Sequence, residues 1–333
     1  MHFFASPLFR PDVIAPAQRQ ANDGRTGARP MARARIFRAG AVLLVCLLAA
    51  CGGHKKSTPT PPPADTTAPT MSGLTTSFVG AGTVMMTATA VDDVGVTAYC
   101  FSNSSVQPSP SDGCFQPSAQ KTITLTLPVQ RYYVWAKDAA GHVSDTSTVG
   151  PCSSAGFAAS EGSSLKTVCM MTSLGELVLA LDASRAPNTV ANFLKYVSDG
   201  FYSNTVFHRV MSNFVVQGGG YTWTSGTGLS AKAPTYAPVA MELPSATALS
   251  NLSETIAMAR TSDLNSATSQ FFINVVNNTS FDSDSTPYAV FGSVISGSAT
   301  LNSLKSVPVV DNGSGELSQP TIPPVVQWAI QLK

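Results

Sequence analysis

Residues 166–182, KTVCMMTSLGELVLALD, restrict the fold more than any other stretch, because they predict a β-hairpin with one apolar face. Leu177, Leu179 and Leu181 alternate with other residues after a turn at Ser173–Gly175. A period of two places such residues on one side of a strand. Further strands are predicted downstream, at residues 205–210, 214–218, 254–259, 269–276 and 288–295.

Two short helices are expected among these strands. An apolar stripe at positions i, i+3, i+4 and i+7 predicts a helix within residues 186–200, formed by Val190, Phe193, Leu194 and Val197. A second short helix is predicted near residues 298–307. Strands with two short helices indicate a β-rich domain over residues 153–333, and a closed barrel is one form of it.

Residues 72–152 predict a separate all-β domain. Strands are expected at residues 83–91 and 121–127, with Ile123, Leu125 and Leu127 on one face of the second. Residues 131–144 predict a third strand, which runs into a turn at Ala140–Gly141. Short strands separated by turn signals indicate a β-sandwich. The pattern APT…AVDDVGVTAYC…YYVWAKDAAGHVS resembles the immunoglobulin-like modules of bacterial surface and secreted proteins.

Residues 1–50 are interpreted as a signal peptide, with Met31 as the expected true start. A basic stretch precedes an apolar run from Ala41 to Ala50, which is too short to span a bilayer. LAAC at residues 48–51 resembles a bacterial lipobox, which implies that Cys51 is lipidated; the alternative is an ordinary secretory signal with an incidental cysteine. Residues 51–71, rich in Pro and Thr, predict an extended tether.

Four cysteines follow Cys51, namely Cys100, Cys114, Cys152 and Cys169. An even number in an exported protein indicates disulfides, and three pairings are open. Proximity in sequence favours Cys100 with Cys114, which leaves Cys152 and Cys169 to join the two domains. No CxxC and no Cys/His cluster is present in the sequence, so zinc is not expected.

The charge balance argues against nucleic acid as a partner. Seven of the 20 Lys and Arg residues and two of the 19 Asp and Glu residues precede position 51. The remainder has 13 basic against 17 acidic residues. A mildly acidic body without a basic stripe is not typical of nucleic-acid binding.

The stretch FHRVMSNFVVQGGG at residues 207–220 holds one cation, Arg209, in an apolar setting. His208 is the only histidine in residues 153–333 and has no GxSxG motif near it, so a hydrolase triad is not expected. Metal-ligand and phosphate-loop spacings are also missing, and no cofactor is implied. A cation, neutral hydrogen-bonding groups and apolar side chains suit a reaction that makes no bond, such as rotation about a peptidyl-prolyl amide. The alternative for Arg209 is a strand residue in a salt bridge with Glu242 or Glu254.

Three motifs resemble the cyclophilin family of peptidyl-prolyl isomerases, and its bacterial periplasmic branch in particular. They are FHRVMSNFVVQGGG (207–220), TIAMARTSDLNSATSQFFINV (255–275) and YAVFGSVISG (288–297). The resemblance covers about residues 166–333. It implies an eight-stranded antiparallel β-barrel capped by two helices, and catalysis of cis-trans rotation at X-Pro bonds.

The resemblance also implies roles for single residues. Arg209 takes the place of the catalytic cation, Gln217 of the carbonyl-binding glutamine and Phe272 of the floor of the proline pocket. Other substrate-binding positions of the family correspond to Phe214, Val215, Ala259, Arg260, Gln270, Phe281 and Tyr288. Phe207 and His208 match the motif but are expected to be structural.

Two positions depart from the family pattern. Ser280 stands where relatives often have Trp or Phe, and because that aromatic residue supports cyclosporin binding, weak inhibition is expected. Val215 is shorter than the common Met, so a looser pocket rim is expected.

The leading hypothesis is a monomeric, lipid-anchored isomerase that acts on proline-containing segments of exported proteins in a bacterial cell envelope. Gly52 replaces the aspartate that retains many lipoproteins at the inner membrane, which favours the outer membrane, facing the periplasm. Two alternatives remain at this stage. One is a non-catalytic peptide-binding chaperone, and the other is an envelope adhesion or scaffold lipoprotein that uses the immunoglobulin-like domain.

Overall fold

The computed structural model describes residues 64–80, 82–242, 249–283 and 287–333. The predicted signal peptide, Cys51 and most of the predicted tether lie outside these residues. The described part is mainly β, with three α-helices and five separate sheets. Its helices are all too short or too polar to cross a membrane.

The N-terminal module, residues 70–149, consists of two antiparallel sheets. One has the order β1-β2-β5, with β1 at Thr70–Gly80, β2 at Thr83–Val91 and β5 at Gln120–Thr124. The other has the order β4-β3-β6-β7, with β3 at Val96–Ser102, β4 at Phe115–Gln116, β6 at Tyr132–Asp138 and β7 at Ser147–Val149. Strand β1 includes Thr70 and Met71, which the sequence places in the tether.

Alternation of apolar residues explains how these strands pack. Val84, Met86 and Ala88 of β2 are buried at every second position, as a half-buried strand requires. The expected alternation over residues 121–127 is wrong at its end, because β5 stops at Thr124 and Leu127 is 56% exposed. Pro128, next in the chain, has no N–H to donate to a ladder.

An eight-stranded antiparallel sheet, here called the curled sheet, forms the C-terminal part. Its order is β10-β11-β15-β14-β16-β9-β8-β19. The strands are β8 Lys166–Thr172, β9 Gly175–Leu181, β10 Phe207–Val210, β11 Val215–Gly218, β14 Thr255–Met258, β15 Phe271–Asn274, β16 Val290–Ser296 and β19 Val326–Gln331. A β-bridge between Val206, just before β10, and Val325, just before β19, connects the two edge strands of this sheet. The expected eight antiparallel strands are therefore confirmed.

Two small hairpins extend from this sheet. The first pairs β12, Tyr221–Thr224, with β13, Gly228–Ala231. The second, here called the C-terminal hairpin, pairs β17, Val309–Asp311, with β18, Leu317–Pro320. Neither hairpin was predicted from the sequence.

Three α-helices accompany the strands. They are α1 at Ser154–Gly162, α2 at Pro187–Ser198 and α3 at Ser298–Lys305, and a 3₁₀ helix spans Thr279–Asp282. The predicted helices correspond to α2 and α3, whereas α1 was missed. The apolar stripe of α2 packs against the inner face of the curled sheet, where the alternating leucines of β9 also lie.

The outer face of the curled sheet packs against the N-terminal module. A single buried cluster joins Val84 and Met86 of the module to Cys169, Val178 and Trp328 of the sheet. Trp328 donates from Nε1 to the Pro151 carbonyl at 3.0 Å. The Val129 N–H donates to the Leu332 carbonyl at 2.8 Å. The module and the sheet therefore share one hydrophobic core, here called the shared core.

Two disulfides link the four cysteines of the described chain. Cys100 is bonded to Cys114 within the N-terminal module, across the β3–β4 pair. Cys152 is bonded to Cys169, which ties the segment after the module to β8. The second disulfide lies at the edge of the shared core.

A buried aspartate in the N-terminal module gives a pH-dependent contribution to stability. The His142 Nδ1 lies 2.8 Å from Asp138 Oδ2. This hydrogen bond raises the pKa of His142 above 6.5, with a smaller contribution from the charges of Asp65 and Asp92. Burial alone would raise the pKa of Asp138, but its hydrogen bonds to His142 and Gly141 lower it, so the carboxylate stays ionised.

A raised histidine pKa stabilises the folded state fully below the unfolded pKa, and this stabilisation disappears as pH rises through the folded pKa. We therefore expect the free energy of unfolding to fall as pH rises from about 6.5, the ordinary histidine pKa, through the raised pKa of folded His142. Urea titrations across this range measure the effect. In His142→Gln this decrease of the free energy of unfolding with pH should be absent. An unchanged decrease would contradict the assignment.

Candidate active site

Three of the expected site residues lie in one row across the curled sheet, which Ala257 of β14 continues. Arg209 of β10 is in register with Gln217 of β11, Gln217 with Phe272 of β15, and Phe272 with Ala257 of β14. Val215 lies two residues before Gln217 and therefore shares its face. Val216 packs instead in the hydrophobic cluster on the inner face of the curled sheet, here called the inner core. The strand pairing thus brings together Arg209, Gln217 and Phe272, the first and last of which are 63 positions apart in the sequence.

A small apolar cluster, which corresponds to the expected proline pocket, adjoins this row. Its buried members are Val215, Ala257, Ala259, Phe272, Phe281, Tyr288 and Val290, with Phe214 and Leu249 packed at its margin. Ring centroids are 6.0 Å apart for Phe272 and Phe281, and 5.6 Å apart for Phe272 and Tyr288. Phe214 meets Phe281 edge-on at 5.3 Å. Such edge-to-face aromatic contacts fix ring orientation, so the walls of the pocket are preformed.

Amide groups lie at the polar end of the row. Gln217 Nε2 donates to Gln270 Oε1 at 3.0 Å. The Gln217 Oε1 atom is buried and has no hydrogen-bond partner among the described residues. A Cβ at Gly220 would lie 2.5 Å from the Gln270 side chain, so a larger residue there would displace this glutamine. Two glutamine side chains and one unpartnered amide oxygen therefore lie together at this end of the row.

The rim on the other side is formed by Ala259 and Arg260. The Ala259 N–H donates to the Gln270 carbonyl at 3.0 Å. Arg260 donates to the Pro287 carbonyl from Nε and Nη2, at 3.1 and 2.8 Å. Its guanidinium also lies 4.3 Å from the centre of the Tyr288 ring. This arginine therefore fixes the segment that carries Tyr288.

A buried network of amides supports the pocket from behind. Asn278 donates to the Phe214 carbonyl at 2.9 Å and to Asn274 Oδ1 at 2.7 Å. Asn274 donates to Asn251 Oδ1 at 3.1 Å, and Asn251 donates to the Tyr288 carbonyl at 3.2 Å. Satisfied buried networks of this kind hold one arrangement of the backbone. The two aromatic walls are thereby linked through main-chain carbonyls.

Arg209 forms a bidentate ion pair with Glu316. Its Nε and Nη2 atoms donate to Oε1 and Oε2 of Glu316 at 2.7 and 2.8 Å. The sequence-based alternative named Glu242 or Glu254 as the partner, and both are wrong. Glu242 instead accepts from the N–H groups of Asn188 and Thr189 at the start of α2. Those two N–H groups have no acceptor within their own helix, which explains the position of Glu242.

Electrostatics keep the remaining titratable groups of the site in one state. Burial raises the pKa of Tyr288 to about 12, although Arg260 and Arg209 act against it. Burial lowers the pKa of His208 to about 4, so its imidazole is neutral at neutral pH. His208 stacks on Tyr221 with ring centroids 4.4 Å apart. Among the described residues, two groups bring potential ligand atoms close together, Cys152–Cys169–Glu176 and Asp65–Asp138–His142. The two cysteines of the first are bonded in a disulfide, and neither group includes a residue of this site.

All ten site residues expected from the sequence lie in or around this pocket. Sequence reasoning missed Glu316 and the amides Asn251, Asn274 and Asn278. Glu316 is 107 residues from Arg209 and lies in a Gly- and Ser-rich turn, so no sequence period connects the two. The amides lie within or beside the quoted motifs, but their burial follows from the tertiary fold alone.

Comparison with known proteins agrees with this geometry. The family model "Cyclophilin type peptidyl-prolyl cis-trans isomerase/CLD" matches residues 167–326. Peptidyl-prolyl cis-trans isomerase cyp18 of Streptomyces antibioticus is 42% identical over 170 residues, which are 50% of this chain and 98% of that protein. Peptidyl-prolyl cis-trans isomerase A of Dickeya dadantii is 43% identical over 50% of this chain and 84% of that protein. Peptidyl-prolyl cis-trans isomerase B of Escherichia coli is 40% identical over 44% and 88%, respectively.

The chain therefore belongs to the cyclophilin-type peptidyl-prolyl cis-trans isomerase family. Its C-terminal part is an enzyme of that class. These relatives match about half of the chain, and the residues matched by the family model, 167–326, follow the N-terminal module.

Proposed function

We propose that this isomerase assists the folding of exported proteins in a bacterial cell envelope, where Cys51 anchors it to the outer membrane, facing the periplasm. The observation that carries the proposal is the pair of disulfides, which use all four cysteines of the described chain. Disulfides persist in oxidising compartments and are rare in the bacterial cytosol. The apolar run and LAAC sequence before Cys51 support the same location.

The proposed chemistry follows from the row of side chains. Rotation about a peptide bond has a barrier of about 18–20 kcal/mol, because amide resonance is lost in the twisted state. Catalysis requires groups that bind the twisted state better than either planar isomer. In the proposal, the proline ring sits over Phe272, Gln217 and Gln270 hold the neighbouring carbonyl, and Arg209 donates toward the prolyl nitrogen as its lone pair localises.

The N-terminal module has a supporting part in this proposal. We assign to it an immunoglobulin-like sandwich, on the grounds of its three- and four-stranded antiparallel sheets and the buried Trp135 between strands. It carries the link from Cys51 to the curled sheet. A monomer is sufficient, because every side chain in the proposed reaction comes from one chain.

The experiment measures proline-limited refolding of an exported, disulfide-containing substrate, with and without the full-length protein. A faster slow phase supports the proposal. Membrane fractionation of cells that produce the native chain, compared with Cys51→Ser, tests the anchor. Loss of the membrane-bound pool in Cys51→Ser is expected. A cytosolic pool with reduced cysteines would refute the envelope proposal without touching the isomerase activity.

Ser280 gives a prediction about inhibition. It lies in the 3₁₀ helix next to Phe281, at the position where relatives carry an aromatic residue that supports cyclosporin binding. We expect weak inhibition of the native protein, and Ser280→Trp should lower the inhibition constant at least tenfold, since one buried aromatic contact contributes about 1.5–3 kcal/mol. Inhibition of peptide isomerisation measures it. Ser280→Ala is the control, and equal inhibition of the Trp and Ala variants would contradict the prediction.

A further inference from the structure

Glu316 holds two of the three nitrogens of the Arg209 guanidinium. Its contact is bidentate, through Nε at 2.7 Å and Nη2 at 2.8 Å. The Arg209 side chain is 14% exposed and that of Glu316 is 30% exposed. Parallel N–H···O bonds of this type fix both the position and the plane of a guanidinium.

The hairpin that carries Glu316 is itself well ordered by hydrogen bonds. Its turn closes through the Asn312 N–H, which donates to the Glu316 carbonyl at 2.9 Å. Asp311 Oδ1 accepts from the N–H groups of Gly313 and Gly315, at 2.6 and 3.1 Å. Gly313 and Gly315 have φ values of 90° and 86°, which other residues rarely adopt. The backbone at Glu316 is therefore held in place by its own turn.

Hydrogen bonds also hold the carboxylate of Glu316. The hydrogen bond from Arg209 lowers the pKa of Glu316, and a hydrogen bond from Ser318 adds to this effect. Asn312 Nδ2 lies 3.4 Å from Oε1. Glu316 is therefore ionised at neutral pH and has little freedom to leave the arginine.

Other contacts define where the guanidinium lies. It sits 5.7 Å from the centre of the Phe214 ring, at the margin of the apolar pocket. Its Nη2 atom also contacts Met211 Sδ at 3.2 Å. The ion pair engages the Nε–Nη2 edge of the guanidinium, and the third nitrogen, Nη1, is buried. An arginine without such an anchor must lose side-chain rotamer entropy when it adopts one orientation.

We propose that Glu316 is a positioning residue, which holds the Arg209 guanidinium in the position and plane from which it acts on the substrate amide. Electrostatic catalysis is strongest when donors are fixed before the reaction begins, because no reorganisation is then needed in the transition state. Glu316 does not touch the substrate and acts only through Arg209. This inference rests on the proposed role of Arg209 in isomerisation.

The test compares Glu316→Gln and Glu316→Ala with the unmodified full-length protein, in cis-trans exchange of an Ala-Pro-Phe peptide. Glu316→Ala should lower kcat/KM about tenfold or more, mainly through kcat, because a lost orientation weakens the transition state more than the bound substrate. Glu316→Gln retains one hydrogen-bond acceptor, so its kcat/KM should lie between those of Glu316→Ala and the unmodified protein. Glu161→Gln is the matched control, since Glu161 pairs with Arg131 in the N-terminal module at 2.8 Å. It should leave activity unchanged.

Two further measurements distinguish a role of Glu316 in positioning Arg209 from a role in stabilising the C-terminal hairpin. The Arg209 Nε–H resonance in ¹H–¹⁵N spectra should be sharp in the native protein and broad in both Glu316 variants. In an Arg209→Ala background, Glu316→Ala should have no additional effect on the rate, because coupled residues are not additive. Additive losses, or faster variants, would overturn the inference. An inactive native protein would instead refute the isomerase role on which the inference rests.

Discussion

Arg209→Ala is expected to lower kcat/KM for peptidyl-prolyl exchange by about 10²–10³-fold, which corresponds to about 2.7–4 kcal/mol for one fixed donor in an electrostatic site. The reason is that Arg209 is the one cation in register with Gln217 and Phe272 on the described strands. No other described residue can donate a charged hydrogen bond from that position of the row. Exchange spectroscopy on an Ala-Pro-Phe peptide measures the rate.

Two control variants sharpen this prediction. Arg209→Lys retains the charge but not the planar fork, so its activity should be intermediate. Arg185→Ala removes another arginine from an ion pair, since Arg185 lies 3.3 Å from Asp182 and is 47% exposed. It should leave activity unchanged. Circular dichroism and the melting temperature verify folding, and full activity in a folded Arg209→Ala protein would refute the assignment.

Removal of the N-terminal module is expected to unfold the isomerase part or to make it aggregate. A fragment of residues 153–333 exposes the outer face of the curled sheet, where Val178, Trp328, Ile330 and Leu332 are at most 9% exposed in the intact chain. Each buried aliphatic side chain contributes about 1.5–3 kcal/mol. Their combined loss is comparable to the whole stability of a domain, about 5–15 kcal/mol.

Thermal melts of residues 65–333 and 153–333 test this expectation. Trp328→Ala in the longer fragment should destabilise it by about 3–5 kcal/mol, whereas Leu317→Ala, at a residue that is 67% exposed, should have little effect. Equal melting temperatures for the two fragments would mean that the shared core contributes nothing to the stability of the isomerase part. Activity assays should accordingly use residues 65–333.

The regular elements with strong periodicity were predictable from the sequence. The hairpin of β8 and β9 and the helix α2 follow from their alternating and i, i+3, i+4 patterns, and the structure confirms them. Helix α1 was missed because its sequence, SAGFAASEG, is small and polar without an apolar stripe. It begins at a Ser153 cap, whose side chain accepts from the Gly156 N–H.

The contacts between distant segments were not predictable. Strand β8 is apolar on both faces because Cys169 packs in the shared core while Val168 and Met170 pack in the inner core. A continuous apolar run shows that both faces are covered, but not by which segment. The Arg209–Glu316 pair was missed for a similar reason, since charge complementarity in sequence names no specific partner.

The strand order has a consequence for how the enzyme is made. Strand β8, near the start of the isomerase part, pairs with β19, whose residues are among the last eight of the chain. Val325, just before β19, also completes the bridge to Val206 beside β10. A nascent or truncated chain lacks this closing strand. A chain that ends before Val325 therefore leaves one edge of β8 unpaired, and the curled sheet cannot close beside β10.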